Sequence, residues 1–270
     1  MKYKKLVIIL SSIIGAILLL LLLTFTLFRV NSVSIDFKNE TTIFASDEFK
    51  NEIISTSNAQ NYSTIFAVKK SEIKNNLEHE YPYLKVINIE TVFPNSLVIH
   101  CAEREETFTI KISDNLYYIC DEDLKILSVA TNYEAKNGTP ALLNNVEIKN
   151  KTARVGEFLD MENAEIVKDM ITAFAYNNKT ISDFKNMFKN VSLNIERDYY
   201  TRQQEVSFVF NTYDDFSVKL GLAKSFLVEK VSLMLNLIPK SIDKYKTHQL
   251  VIEINPDNVS DTYIRYEKLS

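Results

Sequence analysis

Residues 70–101 read KSEIKNNLEHEYPYLKVINIETVFPNSLVIHC, a pattern that predicts one helix followed by two strands. Ile73, Leu77 and Tyr81 recur at every fourth position, as on one face of a helix, and Pro82 ends the run. Two runs of alternating apolar residues follow, and each predicts a strand with one buried face: Ile87, Ile89 and Phe93, then Leu97, Ile99 and Cys101. The intervening Pro-Asn-Ser, residues 94–96, supplies the turn between them.

The residues before this stretch complete a small α+β unit. Val33, Ile35 and Phe37 alternate with polar residues and predict a strand. A helix is expected over residues 47–55, with Ser46 as its N-cap. The order is therefore β-α-α-β-β, and two helices packed on one face of a three-stranded sheet would bury the apolar side chains.

An apolar run precedes this unit. Residues 6–28, LVIILSSIIGAILLLLLLTFTLF, contain no charged side chain, and as a helix they would extend roughly 34 Å, enough to cross a hydrocarbon core of about 30 Å. Three lysines precede the run and only Arg29 lies close behind it, so the positive-inside rule predicts a cytoplasmic N-terminus and extracytoplasmic C-terminal domains. A cleaved signal peptide is the alternative, but the run is longer than the usual apolar region and lacks a small-x-small cleavage site.

Composition limits the possible partners. The chain has 31 basic and 35 acidic residues, and three of the basic residues lie before the apolar run, so the part behind it is acidic. This balance argues against nucleic acid or anionic lipid as the main partner. The two cysteines, Cys101 and Cys120, are expected to be small buried residues, with a single disulfide as the alternative.

From residue 104 onward, short alternating runs predict a mostly antiparallel β domain with flanking helices. Hairpin strands are expected at 108–112 and 116–120, and further strands near 125–129, 191–195, 206–210, 216–220, 250–254 and 262–266. One helix is expected at 162–176, after Asp160 as a possible cap. A second, amphipathic helix is expected to open at Gly221 and to end at Pro239.

The order and spacing of these segments resemble the FtsQ/DivIB family of bacterial division proteins. The first part carries SVSIDF at 32–37, Ile65-Phe66, Pro82, the Pro94-x-x-Leu97-x-Ile99 pattern and Glu103-Arg104. The later part carries LYYICDEDLKILSV, TPALLNNVEI, and FSVKLG followed by FLVEKVSLMLNLI. Two departures are Lys69, where the family often has an Asp or Asn cap, and the acidic turn 121–123, where it often has a glycine.

This resemblance implies an α+β protein with a single N-terminal transmembrane helix, a small polypeptide-transport-associated (POTRA) domain and a β domain. The corresponding segments are a cytoplasmic tail at 1–5, the membrane span at 6–28, the POTRA domain at 29–103, the β domain at 104–255, and a C-terminal strand and tail at 256–270. It also implies a place at the division septum, with small coiled-coil division proteins of the FtsB/DivIC and FtsL types as partners. The POTRA domain, by an exposed edge strand, is expected to aid recruitment to that site.

The expected function is that of a non-catalytic scaffold of the division machinery. A sheet edge offers unpaired backbone N–H and C=O groups, and a partner strand can complete the ladder. The last predicted strand is the candidate docking site, because Tyr and Arg are favoured anchors in interfaces. Its residues are Thr262, Tyr263, Ile264, Arg265 and Tyr266. The alternative is that Tyr263 and Tyr266 fold back onto their own sheet.

No residue pattern points to catalysis, a cofactor, a metal or a small-molecule substrate. His100 and Cys101 are neighbours in a strand and should face opposite sides of the sheet, which argues against a catalytic pair. The acidic residues 121–123 are expected to form a solvated turn, and Glu103-Arg104 a structural pair at the domain junction. The alternatives are a membrane-anchored enzyme or sensor of the cell wall, which would need ionisable side chains meeting in one cleft, and a POTRA-bearing export component.

Overall fold

A computed structural model of the chain describes residues 2–38, 43–197, 204–245, 247–255 and 258–269. The chain divides into two compact units, Met1–Arg104 and Glu105–Ser270. The first holds one long apolar helix and a small sheet, and the second holds a large sheet with helices. The expected α+β class is confirmed.

The first unit has the predicted β-α-α-β-β order behind its N-terminal helix. Its elements are α1 (Lys2–Leu27), β1 (Ser32–Phe37), α2 (Asp47–Ser57), α3 (Lys70–Glu80), β2 (Leu84–Val92) and β3 (Ser96–Glu103). The sheet order is β1-β3-β2, with β3 parallel to β1 and antiparallel to β2. The predicted cap is present, because the Ser46 hydroxyl accepts a hydrogen bond from the Phe49 N–H at 3.3 Å.

Among the described residues, α1 is long and apolar enough to cross a membrane, and its Leu10–Leu27 stretch packs against nothing else in the structure. This finding is consistent with a membrane anchor. The helix ends at Leu27, one residue before the predicted end of the span.

The buried face of β2 differs from the expected one. A β-bulge between Val86 and Asn88 inserts one residue into the strand, so Val86 and Ile89 both face the core while Ile87 turns outward. The expectation that Ile87 and Phe93 share a buried face with Ile89 was therefore wrong. On β3, the expected face is confirmed, since Leu97, Ile99 and Cys101 are fully buried.

The second unit is built on a nine-stranded mixed sheet. Its strands are β4 (Phe108–Ser113), β5 (Leu116–Cys120), β6 (Ile126–Ala130), β7 (Ala141–Asn144), β8 (Phe188–Arg197), β9 (Gln204–Thr212), β10 (Ser217–Leu220), β11 (His248–Asn255) and β12 (Asn258–Lys268). Their order in the sheet is β12-β11-β10-β9-β8-β7-β4-β5-β6. Most pairs are antiparallel, but β4–β7, β7–β8 and β10–β11 are parallel.

In the described part of this unit, three helices accompany the sheet: α4 (Ala164–Tyr176), α5 (Ile181–Met187) and α6 (Leu227–Ser241). Helices α4 and α6 pack against each other, and α6 packs on β10 and β11. Phe174 on α4 and Phe184 on α5 join Phe188 and Phe210 of the sheet in one aromatic cluster. The apolar faces of helices and strands thus meet in one core.

The helix boundaries in this unit needed correction. Helix α4 begins after Asn163, which lies in the left-handed region, rather than after a capping Asp160. Helix α6 begins six residues later than Gly221, because Leu222 and Phe226 both have positive φ and interrupt the helical path. Pro239 lies inside the last turn of α6 instead of ending it. Helix α5 was not predicted, although the Thr180–Asp183 capping box marks its start.

Candidate partner-binding edge

Strand β12 forms one edge of the nine-stranded sheet. It pairs with β11 in antiparallel register, with Tyr263 opposite Glu253 and Tyr266 opposite Leu250, and no strand of the described part pairs with its other side. The opposite sheet edge is partly covered, because the Ile126 backbone of β6 exchanges hydrogen bonds with Gly156 and Glu157. The open ladder of this unit is therefore at β12.

The structure brings the five predicted docking residues together on this one strand. Tyr263 and Arg265 point to one face of the sheet, and Thr262, Ile264 and Tyr266 to the other, by the alternation of strand side chains. Tyr263 is 56% exposed and Ile264 is 43% exposed, which is unusual for large apolar or aromatic side chains. Both are placed where an added strand or helix could cover them.

Tyr266 differs from Tyr263 because it turns back onto its own unit. Its ring stacks on Tyr245 with a centroid distance of 3.9 Å, and its hydroxyl lies 2.8 Å from the Ser241 hydroxyl at the end of α6. Tyr266 therefore fastens β12 to the helix layer. Its part in partner binding stays a prediction, as does that of the other four residues.

Arg265 is held in place by two carboxylates. Its guanidinium donates to Glu267 at 2.6 Å and to Glu253 at 3.0 Å. Hydrogen bonds to Glu267 and then to Glu253 raise the pKa of Arg265 further above its ordinary high value, so the group is charged at any working pH. These two ion pairs fix the guanidinium on its face of β12.

A buried lysine organises the loop that leads into α6, and sequence reasoning missed it. The Lys230 ammonium donates to the carbonyls of Gly221, Leu222 and Ser225 at 2.6–2.8 Å, and the residue is fully buried. Its position within the apolar stripe of α6, three residues after Leu227 and four before Met234, was the available signal. The loop positions α6, whose far end carries the Ser241 contact to β12.

Comparison with known proteins agrees with this architecture. Residues 49–104 match the POTRA domain of the FtsQ type. A protein of Clostridium tetani named cell division protein DivIB is 28% identical over 183 residues, which cover 67% of this chain and 65% of that protein. A second cell division protein DivIB, of Clostridium acetobutylicum, is 26% identical over 179 residues, which cover 66% of this chain and 68% of that protein.

The chain is a homologue of the DivIB cell division proteins. The expected FtsQ/DivIB resemblance is confirmed. The alignment spans just under two thirds of the length of the C. tetani DivIB. The homology supports a role in cell division, and together with α1 it suggests a membrane-anchored septal protein.

The sequence-level exclusion of a His100–Cys101 pair is confirmed in this DivIB homologue. Cys101 is fully buried on the core face of β3, and burial raises its pKa to about 12, so the thiol stays protonated. Cys120 is also buried, and burial raises its pKa as well. Both cysteines are buried, as expected, and both are free.

His100 lies on the opposite face of β3, between two carboxylates. Its Nδ1 is 2.9 Å from Asp36 of β1, and its Nε2 is 3.3 Å from Glu90 of β2. These contacts raise the pKa of His100 above 6.5, with the hydrogen bond to Asp36 as the largest cause. The three side chains link all strands of the small sheet.

A pH-dependent stabilisation of the first unit should follow from this contact. Because the folded-state pKa is raised, the stabilisation is full below about pH 6.5 and is lost as pH rises through the folded pKa. We expect His100→Asn to destabilise the protein more at pH 6.0 than at pH 8.5. Thermal unfolding at both pH values checks this, with His79→Asn, at an exposed site on α3, as the control. Equal losses at the two pH values would contradict it.

Contacts in the structure test the expectations for the acidic turn 121–123 and for Arg104. Asp121 is buried and its carboxylate accepts the N–H groups of Asp123 and Lys125 at 3.0 and 2.8 Å, so the expectation of a solvated turn was wrong for this residue. These two hydrogen bonds hold the backbone of the β5–β6 connection in its turn. Arg104 has a structural role, as expected, and its ion pair is with Glu78 of α3 at 3.2 Å.

One small polar cleft lies beside the candidate edge. Its volume is about 210 Å³, and its lining residues are Glu205, Ser207, Lys219, Gly221, Leu222 and Glu253. Of the two carboxylates in the cleft, that of Glu253 is already engaged in an ion pair with Arg265 between β11 and β12. Within the part of the chain that the structure describes, no group of three His, Cys, Asp or Glu side chains is placed to hold a metal ion.

Proposed function

We propose that this DivIB homologue is a non-catalytic scaffold of the division machinery, anchored by α1 with its N-terminus in the cytoplasm and both units outside. Its second unit docks the outer segments of small coiled-coil division proteins of the FtsB/DivIC and FtsL types. The single observation that carries the proposal is the open edge of β12, with Tyr263 and Ile264 exposed on it. The homology to cell division proteins supplies the setting.

Docking occurs by strand addition to β12. Backbone hydrogen bonds to the edge supply the affinity, and side chains on both faces of the strand supply the specificity. Tyr263 and Arg265 contact the partner on one face, and Ile264 contacts it on the other. Tyr266 contributes by holding the strand against Ser241 and Tyr245.

Tyr263→Glu is expected to weaken binding of the host's DivIC-type and FtsL-type outer segments at least tenfold, about 1.4 kcal/mol. The substitution places a charge where an aromatic ring would be covered, and it removes no buried packing of β12 because Tyr263 is exposed. Affinity can be measured on the purified chain by titration calorimetry.

The matched control for this variant is Tyr176→Glu, which changes an exposed tyrosine at the end of α4. It should bind within twofold of the wild type. A Tyr263→Glu protein that unfolds at the wild-type temperature and binds both partner segments at full strength would exclude β12 as the docking site.

A further inference from the structure

Three phenylalanine rings meet where α1 ends. The ring centroids of Phe28 and Phe66 are 5.1 Å apart, those of Phe28 and Phe93 are 6.3 Å apart, and those of Phe66 and Phe93 are 6.0 Å apart. Phe28 follows the last residue of α1, Phe66 lies in the short turn before α3, and Phe93 lies in the β2–β3 hairpin. We call these residues the phenylalanine cluster.

Backbone contacts fix the cluster to the end of α1. The Ile65 N–H donates to the Phe28 carbonyl at 2.8 Å, which holds the turn that carries Phe66. The Asn31 N–H donates to the Asn95 carbonyl at 2.9 Å, which holds the hairpin that carries Phe93. Backbone hydrogen bonds of the fold therefore place the three rings together, in addition to the contacts between the rings themselves.

Two of the three rings are exposed although they are strongly apolar, and Phe28 is half-buried against the core of this unit. Phe66 is 62% exposed and Phe93 is 66% exposed, while the core of this unit holds other aromatic rings such as Phe37 and Phe44 in buried positions. Val92, next to Phe93, is also exposed. An apolar patch of this kind on a folded domain marks a surface that a partner protein or a membrane covers.

The neighbouring sequence favours the membrane over a partner protein. The exposed apolar surface of Leu10–Leu27 runs directly into the cluster, so a helix that crosses a bilayer brings Phe28 to its boundary. Rings within about 6 Å of Phe28 then lie at the same depth, where aromatic side chains are favoured. Cationic side chains lie close to these rings in the sequence: Arg29 follows Phe28, and Lys69 and Lys70 follow Phe66 within four residues. Lysine and arginine are favoured at the level of the lipid headgroups.

We infer that the phenylalanine cluster inserts into the lipid interface of the outer leaflet and docks the POTRA domain on the membrane. The inference rests on the part of the proposed function in which α1 spans the membrane, and it is independent of partner docking at β12. Phe66 and Phe93 bind the acyl-chain boundary, and together with Phe28 at the end of α1 they hold the domain at the bilayer.

The absence of tryptophan from this chain allows a clean test. Four single-tryptophan variants of the full chain are placed in vesicles of phosphatidylcholine and phosphatidylglycerol: Phe66→Trp, Phe93→Trp, Ile87→Trp and Leu19→Trp. Ile87 is the matched control, an exposed apolar residue of the same domain that lies about 20 Å along β2 from Phe93. Leu19, inside α1, reports membrane insertion. Lipids with a nitroxide near the glycerol or deep in the acyl chain quench the fluorescence.

The shallow label should remove about half of the emission of the Phe66→Trp and Phe93→Trp variants and about a tenth of that of Ile87→Trp. Deep label should quench Leu19→Trp. If Leu19→Trp is quenched and the two cluster variants respond like Ile87→Trp, the inference fails while the anchor stands. If Leu19→Trp is not quenched, both fail. Blue-shifted but unquenched cluster variants would show that protein covers the rings, which also overturns the inference.

Discussion

Replacing Lys230 by Met should lower the free energy of unfolding by about 3 kcal/mol, because three buried carbonyls lose their donor. The methionine keeps the apolar stem of the lysine, so packing in α6 changes little. The loop that these carbonyls belong to contains Leu222 and Phe226 at positive φ, a conformation that costs free energy and needs support from surrounding contacts. Chemical denaturation at pH 7 measures the loss.

The matched control for Lys230→Met is Lys240→Met, in the exposed last turn of the same helix. It should change the free energy of unfolding by less than about 0.5 kcal/mol. A loss in the Lys230 variant no larger than in the control would show that the three carbonyls do not depend on the ammonium group.

The difference between the wild type and the Lys230→Met variant should also depend on pH. Burial lowers the pKa of Lys230 to about 8, whereas an unfolded lysine has its ordinary value near 10.5. Between these values the unfolded chain binds more protons than the folded chain, so the stability of the wild type relative to the variant rises with pH, by about 2 kcal/mol at pH 9.5. A difference that shrinks as pH rises would contradict the assignment.

Arg104→Met should destabilise the first unit by about 3 kcal/mol, since the buried Glu78 carboxylate loses the guanidinium at 3.2 Å and the contact from the exposed Lys74 is longer, at 3.8 Å. Both side chains are buried, and Glu78 also accepts the Val86 N–H at 2.9 Å, which ties α3 to β2. Amide hydrogen exchange on the full chain can localise the effect, because protection of β3 amides should fall while that of β9 amides stays unchanged.

Two further variants make this result specific to the buried pair. Lys69→Met removes the exposed Lys69–Glu72 pair at the start of the same helix and should cost less than about 0.5 kcal/mol. A Glu78→Met, Arg104→Met double variant should recover part of the loss, because both charges of the buried pair are then removed together. Additive losses from the two single substitutions would contradict the ion-pair explanation.

Local chemistry predicted much of this protein. The spacing of Ile73 and Leu77, the stop at Pro82 and the Ser46 cap set helices that form as expected, because these signals act within one or two turns of chain. The alternation on β3 predicted its buried face for the same reason. The unbroken apolar run before Arg29 predicted a span from its composition and length.

The candidate docking strand depends on contacts that the local sequence pattern does not predict. Alternation over residues 262–266 predicted a strand, but it gave both tyrosines equal weight. Only the packing of α6 and Tyr245 on the sheet separates an inward Tyr266 from an exposed Tyr263. The place of β12 at the edge depends on the order of all nine strands, which residues far apart in the chain decide together.

The sequence by itself determined the long apolar helix, the helix faces and the strand alternation of this DivIB homologue, because each depends on the composition or periodicity of neighbouring residues. Tertiary structure alone decided the outward turn of Ile87 at a bulge, the burial of Lys230 under three carbonyls, the Arg104–Glu78 pair and the meeting of Phe28, Phe66 and Phe93. These features join residues that are distant in sequence or strain the backbone locally, and their free energy comes from contacts that exist only once the whole unit has packed.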